Sequence, residues 1–280
     1  MPLTTESISN ALAHQPLITR VEHFNSIGST NDRARQLAND GAPAITLISA
    51  DEQTSGRGRQ GRAWFTPHGS ALAVSLLTRP IISAQRAMLL TMLAGLAVVE
   101  GIEDATGLRL DLKWPNDVVA VSNEQLTINN EQTNQQSAIS DQPLKVGGIL
   151  TECAFQNDQI EYAVIGIGLN VNVDFSAQPE LRHIATSLME LKGQSIDRLV
   201  VLTAIVTRFI DLYPWLANEV KLRDAWRARL MNLGRTIRVR SGAEILEGFA
   251  EGVDVDGALI LRTSNGRTQR LLSGDVTLSV

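Results

Sequence analysis

Between Gly56 and Arg62 the chain sets three glycines and three arginines in seven positions, GRGRQGR, and soon adds the adjacent aromatics Trp64 and Phe65. Glycine at 56, 58 and 61 permits positive φ and lets backbone N–H groups come close to a ligand. Arg57, Arg59 and Arg62 supply planar cationic forks suited to carboxylate or phosphate. Ordering such a loop while empty is costly, because glycine loses the most entropy and the arginines repel. A bound anion offsets both, so the run is expected to order on its ligand. A Walker loop would end in Gly-Lys-Ser/Thr, which is absent. A nucleic-acid tail would repeat and sit at a terminus, whereas this run occurs once, inside a chain of net charge -5. A plain solvated loop leaves Trp64 and Phe65 with nothing to cover. A non-Walker anion loop fits best.

Three other stretches carry polar residues where strands end or begin. In KWPND, Lys113, Asn116 and Asp117 surround a proline bend. Asp117 suits a Mg²⁺ ion shared with substrate phosphates, and the same residues also make an ordinary Pro-Asn-Asp turn. In KVGGIL, Lys145 precedes Gly147 and Gly148. The glycines allow close approach and the ammonium would then face a bound anion; an exposed strand-start lysine is the plainer reading. In IGIGLNVN, Ile165, Ile167, Leu169 and Val171 alternate with Gly166, Gly168, Asn170 and Asn172. A glycine-lined face leaves room for a flat ligand, with Asn170 either bonding that ligand or closing the strand. His14, His23, His68 and His183 show no metal-ligand spacing, and no Ser-His-Asp pattern stands out. Arginine, lysine, asparagine and aspartate thus carry the chemistry, a mix suited to charge stabilisation in phosphoryl or nucleotidyl transfer.

The elements that must position these residues are legible in outline. Ser29 and Thr30 cap a helix continuing through Asn31 to Asn39 and ended by Gly41. AITLISADEQ and SALAVSLLTRP read as strands on either side of the arginine run. Gln85 to Thr106 is a long apolar helix stopped by Gly107. Its most apolar window, 87–99, is too short to span a bilayer and reads as buried. LRLDLKWPND alternates as a half-buried strand and breaks at Pro115. KVGGILTECAF and QIEYAVIGIGLNVNV read as paired central strands. Residues 122–143, rich in Asn, Gln and Ser, read as a flexible surface insertion. Residues 197–230 are helical with a break at Pro214, and from Leu233 regularly spaced glycines punctuate short β runs, as in a small barrel or sandwich. The expectation is an α+β chain with a mixed, mostly antiparallel sheet flanked by helices and a small all-β module behind it. Its parts are residues 1–230 and 231–280.

The chain has 280 residues, 44% of them hydrophobic and 20% charged, enough for one large core or a main domain with a small one. The acidic balance argues against a nucleic-acid partner. The lone Cys153 excludes an internal disulfide and fits a reducing cytoplasm; it lies in an apolar run and reads as a core thiol. The N-terminus does not read as a signal peptide, and no membrane role is expected.

In this order GSTND, EQTSGRGRQGRAWF, LKWPNDV, KVGGILTE and IGIGLNVN closely resemble the biotin–protein ligases, over about residues 20–280. The resemblance implies a class II synthetase-like catalytic domain with an SH3-like C-terminal β-barrel. It implies ATP, biotin and Mg²⁺, formation of biotinyl-5′-AMP, and transfer to one lysine of the biotin carboxyl carrier protein of acetyl-CoA carboxylase. Carried over by motif, Ser29, Thr30, Asn31, Gln53, Gly56, Arg57, Gly58, Arg59, Trp64, Lys145 and Gly148 would bind biotin. Arg57, Arg59, Arg62, Trp64, Lys113, Asn116, Asp117 and Asn170 would serve ATP, and Lys145, Arg59 and Lys113 would be catalytic. Asp117 would meet Mg²⁺ through the phosphates. Gln60 stands where many members have another arginine, which makes that charge dispensable. Only about twenty residues precede the catalytic strands, so the expectation is a monofunctional ligase, not a repressor, acting as monomer or homodimer. A lipoate–protein ligase shares the chemistry without this loop; a non-catalytic or RNA-binding protein is the rival of another class.

Overall fold

The computed structural model describes residues 2–121, 142–176, 178–242 and 244–278. The insertion expected over 122–143 thus lies, for 122–141, outside the described residues.

Helix α1 (Thr5–Ala11) opens on a capping box from Thr4, and strand β1 (Arg20–Phe24) follows. Ser29 caps α2 (Thr30–Asn39) by accepting the Asp32 N–H. Strands β2 (Thr46–Ala50) and β3 (Ala71–Thr78) are buried at every position, because both faces of the sheet are covered. Ala34, Leu37 and Ala38 of α2 pack on Ile48 and Leu77 from one side. On the other side lies α3 (Met88–Thr106), ended by Gly107 at φ 73°. Its buried residues run all round the helix, as a helix inside a core requires. The helix starts after a short 3₁₀ turn at Ala84–Arg86, slightly later than its apolar run.

Strand β4 (Asp111–Lys113) is shorter than the alternation from Leu108 suggests. Its partner β5 (Asp117–Ala120) follows a tight bend, so few residues can pair. The long strands β6 (Leu144–Gln156) and β7 (Gln159–Asn170) form the expected antiparallel pair. Their turn residues Asn157 and Asp158 both take positive φ, the conformation a two-residue hairpin needs. Helices α4 (Leu188–Lys192), α5 (Arg198–Leu212) and α6 (Glu219–Ala228) follow, with a 3₁₀ turn at Tyr213–Ala217 around Pro214. Among the described residues one helical run, Arg198–Ala217, is long and apolar enough to cross a membrane; here Val201, Ile205 and Phe209 lie buried in the core beside α3.

The main sheet runs β1-β2-β3-β7-β6-β5-β4, with only β1 and β2 parallel. The remaining strands, β8 (Thr236–Ser241), β9 (Glu244–Val253), β10 (Leu259–Thr263), β11 (Thr268–Leu271) and β12 (Asp275–Leu278), make a five-stranded antiparallel sheet ordered β11-β10-β9-β8-β12. It is stitched to the main sheet. Trp114 Nε1 donates to the Gly257 carbonyl at 2.9 Å, and Ile237, Val239, Leu259 and Leu261 join the same apolar core as α3. Each such side chain removed from water stabilises by about 1.5–3 kcal/mol.

Candidate active site

A cavity of about 490 Å³ opens where the arginine run, the β4–β5 bend, β6, β7 and β12 meet. That is ample for a small ligand.

The arginine run folds as a miniature hairpin across this cavity. Gly58 N–H donates to Arg62 O at 2.7 Å and Trp64 N–H to Gly56 O at 2.9 Å. The turn sits at Gln60 and Gly61, both with positive φ. Gly56 is not among the residues that line the cavity. It lies at the hairpin's base, where an added Cβ would stand 2.8 Å from the Trp64 carbonyl oxygen. Every other residue singled out for ligand binding borders the cavity.

One end is polar and neutral. The Thr30 N–H and hydroxyl both donate to Gln53 Oε1, at 2.9 and 3.1 Å. Asn31 Nδ2 donates to Glu152 Oε2 at 2.7 Å. Ser75 Oγ lies 2.8 Å from Thr30 Oγ1 and 2.6 Å from Asn31 Oδ1, and its single proton goes to one of them. Gly166 makes this possible, since a Cβ there would come within 2.4 Å of Asn31 Oδ1. Ser75 and Glu152 escaped the sequence reading. Their signal was a polar side chain inside an otherwise apolar strand.

The middle is aromatic and cationic. The glycine face of β7 does admit a flat group, and that group is the protein's own indole: a Cβ at Gly168 would lie 2.4 Å from the Trp64 ring. Trp64 Nε1 is buried without a hydrogen-bond partner among the described residues, so a donor is left for a ligand to meet. Lys145 Nζ sits 5.4 Å from that ring's centre and donates to Asp117 Oδ1 at 2.6 Å. Gly148 gives it space, a Cβ there falling 3.3 Å from Nζ. Lys113 Nζ approaches the other Asp117 oxygen at 3.6 Å. Arg59 Nη1 donates to Asn116 Oδ1 at 3.1 Å, and Asn116 Nδ2 to Ile149 O at 2.7 Å. Burial lowers the Arg59 pKa, against the opposing pull of Asp275 and Asp117. That is the signature of a cation desolvated without full compensation.

The far wall is apolar, from Phe175, Leu181, Ile184 and Ala185. Asn170 ties it to the sheet, donating to Thr186 O at 3.1 Å. Nothing in the sequence pattern marked this wall. Arg57 and Arg62, on the hairpin's flanks at the edge of the cavity, pair with Asp32 and Asp275.

For a metal, Asp117 is the obvious carboxylate, yet both its oxygens face lysines. Among the described residues no cluster of three metal-type ligands exists. The donor set fits lysine positioning, so a cation would have to arrive on phosphates. Burial pushes the Cys153 thiol up to about 11, an inert core group as its apolar run suggested.

The architecture is thus a mixed sheet with a cation-lined cavity under a glycine–arginine hairpin, backed by a small β sheet. The chain belongs to the biotin/lipoate A/B protein ligase family, whose model matches residues 23–170, and residues 233–279 match the biotin protein ligase C terminal domain. It is 37% identical over 261 residues to the bifunctional ligase/repressor BirA of Bacillus subtilis, covering 91% of this chain and 73% of that one. To the biotin–[acetyl-CoA-carboxylase] ligase of Paracoccus denitrificans it is 32% identical, covering 85% and 92%. The biotin protein ligase from Aquifex aeolicus in complex with biotin and ATP superposes with a TM-score of 0.72 at 26% identity, covering 94% of this chain and 99% of that one. The resemblance drawn from the motifs, and the mixed fold with its small β sheet, hold.

Proposed function

We infer that this enzyme condenses biotin with ATP to biotinyl-5′-AMP and passes the biotinyl group to a lysine of the biotin carboxyl carrier protein of acetyl-CoA carboxylase. One observation carries the reading: a neutral polar pocket, three cations and an apolar wall lie in sequence along a single cavity. The neutral end around Thr30, Asn31 and Gln53 offers donors and acceptors for a ureido ring, with Ser29 at its rim and Trp64 as a wall. Lys145 then faces the carboxylate, with Gly58 and Gly148 allowing close approach. Arg59, Lys113 and Asn116 face the phosphates, and the wall at Phe175 and Ile184, held by Asn170, takes the base.

The carboxylate oxygen attacks the α-phosphorus, the bond to the β-phosphate oxygen breaks, and pyrophosphate leaves. Both partners are anions, so Arg59, Lys113 and Lys145 offset their repulsion and the charge gained at phosphorus. One such preorganised donor contributes about 3 kcal/mol. The acceptor amine then attacks the acyl carbon and AMP departs. Mg²⁺, when bound, neutralises phosphate charge; Asp117 orients the two lysines.

Residues 1–230 form the catalytic part and 231–280 the C-terminal module in this reading, supported by the new sheet beginning at Thr236. A ligase role without DNA binding, in the cytoplasm, is supported by the net charge of -5 and the free thiol. Relatives divide on this point, BirA being named a ligase/repressor, and a gel-shift with promoter DNA decides it. Biotin-dependent ATP–pyrophosphate exchange tests the reaction: folded protein without it refutes the proposal.

A further inference from the structure

The three arginines of the hairpin do different things. Arg59 turns inward and makes no ion pair among the described residues; its partner is the neutral Asn116. Arg57 grips Asp32 with both prongs, Nη1 to Oδ2 at 2.9 Å and Nη2 to Oδ1 at 2.5 Å. Arg62 Nη2 lies 2.6 Å from Asp275 Oδ1, and its Nε reaches back to the Arg59 carbonyl at 3.5 Å. Asp32 stands on α2 and Asp275 on β12, so the hairpin is held at both flanks by different parts of the fold. Its internal backbone bonds at Gly58 and Trp64 are few, and these side-chain pairs tie it to the rest of the fold.

We propose that Asp32 and Asp275 are positioning residues that latch the hairpin shut over the cavity, leaving Arg59 as its anion-facing charge. The proposal deepens the adenylate-forming reading and rests on it. Through Asp275 the C-terminal sheet takes part in closing the site. The latches are built to yield. Arg62 and Asp275 are 57% and 43% exposed, Arg57 and Asp32 37% and 42%. Pairs this exposed shift an equilibrium only about two- to fivefold each and are screened by salt. A hairpin that must open to admit substrates and release product needs such contacts; a buried pair would hold it closed. Arg57, and then Arg35, hold the Asp32 carboxyl below its usual range, so that latch stays charged at neutral pH.

The test uses the full chain with Asp275→Asn, Asp32→Asn, the conservative Asp275→Glu, and the swap Arg62→Asp with Asp275→Arg. Two quantities are read: hydrogen exchange at the Gly58 and Trp64 amides without ligand, and the release rate of preformed biotinyl-5′-AMP at low and high salt. Each Asn variant is expected to speed both about threefold at low salt and less at high salt, with melting temperature unchanged. Asp275→Glu and the swap restore slow exchange. Unchanged rates in the Asn variants, or a swap that restores nothing, overturn the proposal. So does tighter adenylate retention in Asp275→Asn, which would assign Arg62 to the phosphates. Amide exchange needs no catalysis, so loss of pyrophosphate exchange in the unmutated enzyme would refute the function while leaving the exchange arm to judge the latches.

Discussion

Charged side chains gather at two places in this fold and follow different rules. Beside β1 and β2, Arg198 Nη1 meets Asp51 Oδ1 at 2.7 Å and the Ala71 carbonyl at 3.1 Å. His23 Nε2 lies 3.7 Å from the other Asp51 oxygen, its side chain 4% exposed. There one cation meets one anion. Burial, helped by Arg198 and opposed by Asp51, lowers the His23 pKa. In the cavity, Lys113 and Lys145 share Asp117, while Arg59 makes no ion pair among the described residues and feels Asp275 and Asp117 only at longer range. A cluster that serves the fold is neutralised. The cavity cluster keeps a surplus of positive charge, which costs stability and would be offset by an anionic ligand.

The comparison breaks most clearly at Arg198. Arg198→Ala strands a buried carboxylate and should cost about 3–5 kcal/mol, read by urea unfolding, while molecules still folded keep their pyrophosphate exchange rate. A stable Arg198→Ala protein with lost activity would put this cluster in the site. Lys145→Ala should do the reverse. Exchange falls by about 10²-fold or more, near 3 kcal/mol of barrier, and the melting temperature holds or rises. Gly168→Ala sharpens the geometry in between. Its Cβ displaces the Trp64 indole, and biotin affinity by calorimetry should drop about tenfold, some 1.4 kcal/mol. In a Trp64→Ala background the same change should add little. The smallest effect is at His23. Its folded pKa lies below the usual 6.5, so the unfolded chain takes up the proton first on acidification. Stability is full above about pH 6.5 and falls below it, by at most about 0.7 kcal/mol between pH 7 and pH 6. His23→Gln should flatten that slope in denaturation at the two pH values.

Local pattern made much of this legible. Ser29 capped its helix, Gly107 stopped α3, and the β6–β7 pair followed from its alternation, because caps, left-handed glycines and period-two burial are short-range effects. The positive charge that the hairpin, Lys145 and KWPND bring to the cavity followed from residue type. Gly56 sits against its own hairpin's backbone, outside the cavity lining, and in sequence such a glycine looks the same as one that makes room for a ligand. Gly168 was read as leaving space for a flat guest, and the chain's own indole fills it. The wall at Phe175 to Ala185 gave no signal, since ordinary apolar residues lack a periodic pattern outside helices and strands.

By itself the sequence determined that a glycine–arginine loop would bring cationic side chains together, and which residue types would accompany them. Only the tertiary structure decided which arginine faces inward. Arg57 finds Asp32, Arg62 finds Asp275 across 213 positions of chain, and Arg59 is left to the cavity. Charge type is a property of the residue, whereas the choice of counter-ion is a property of distances that only packing sets.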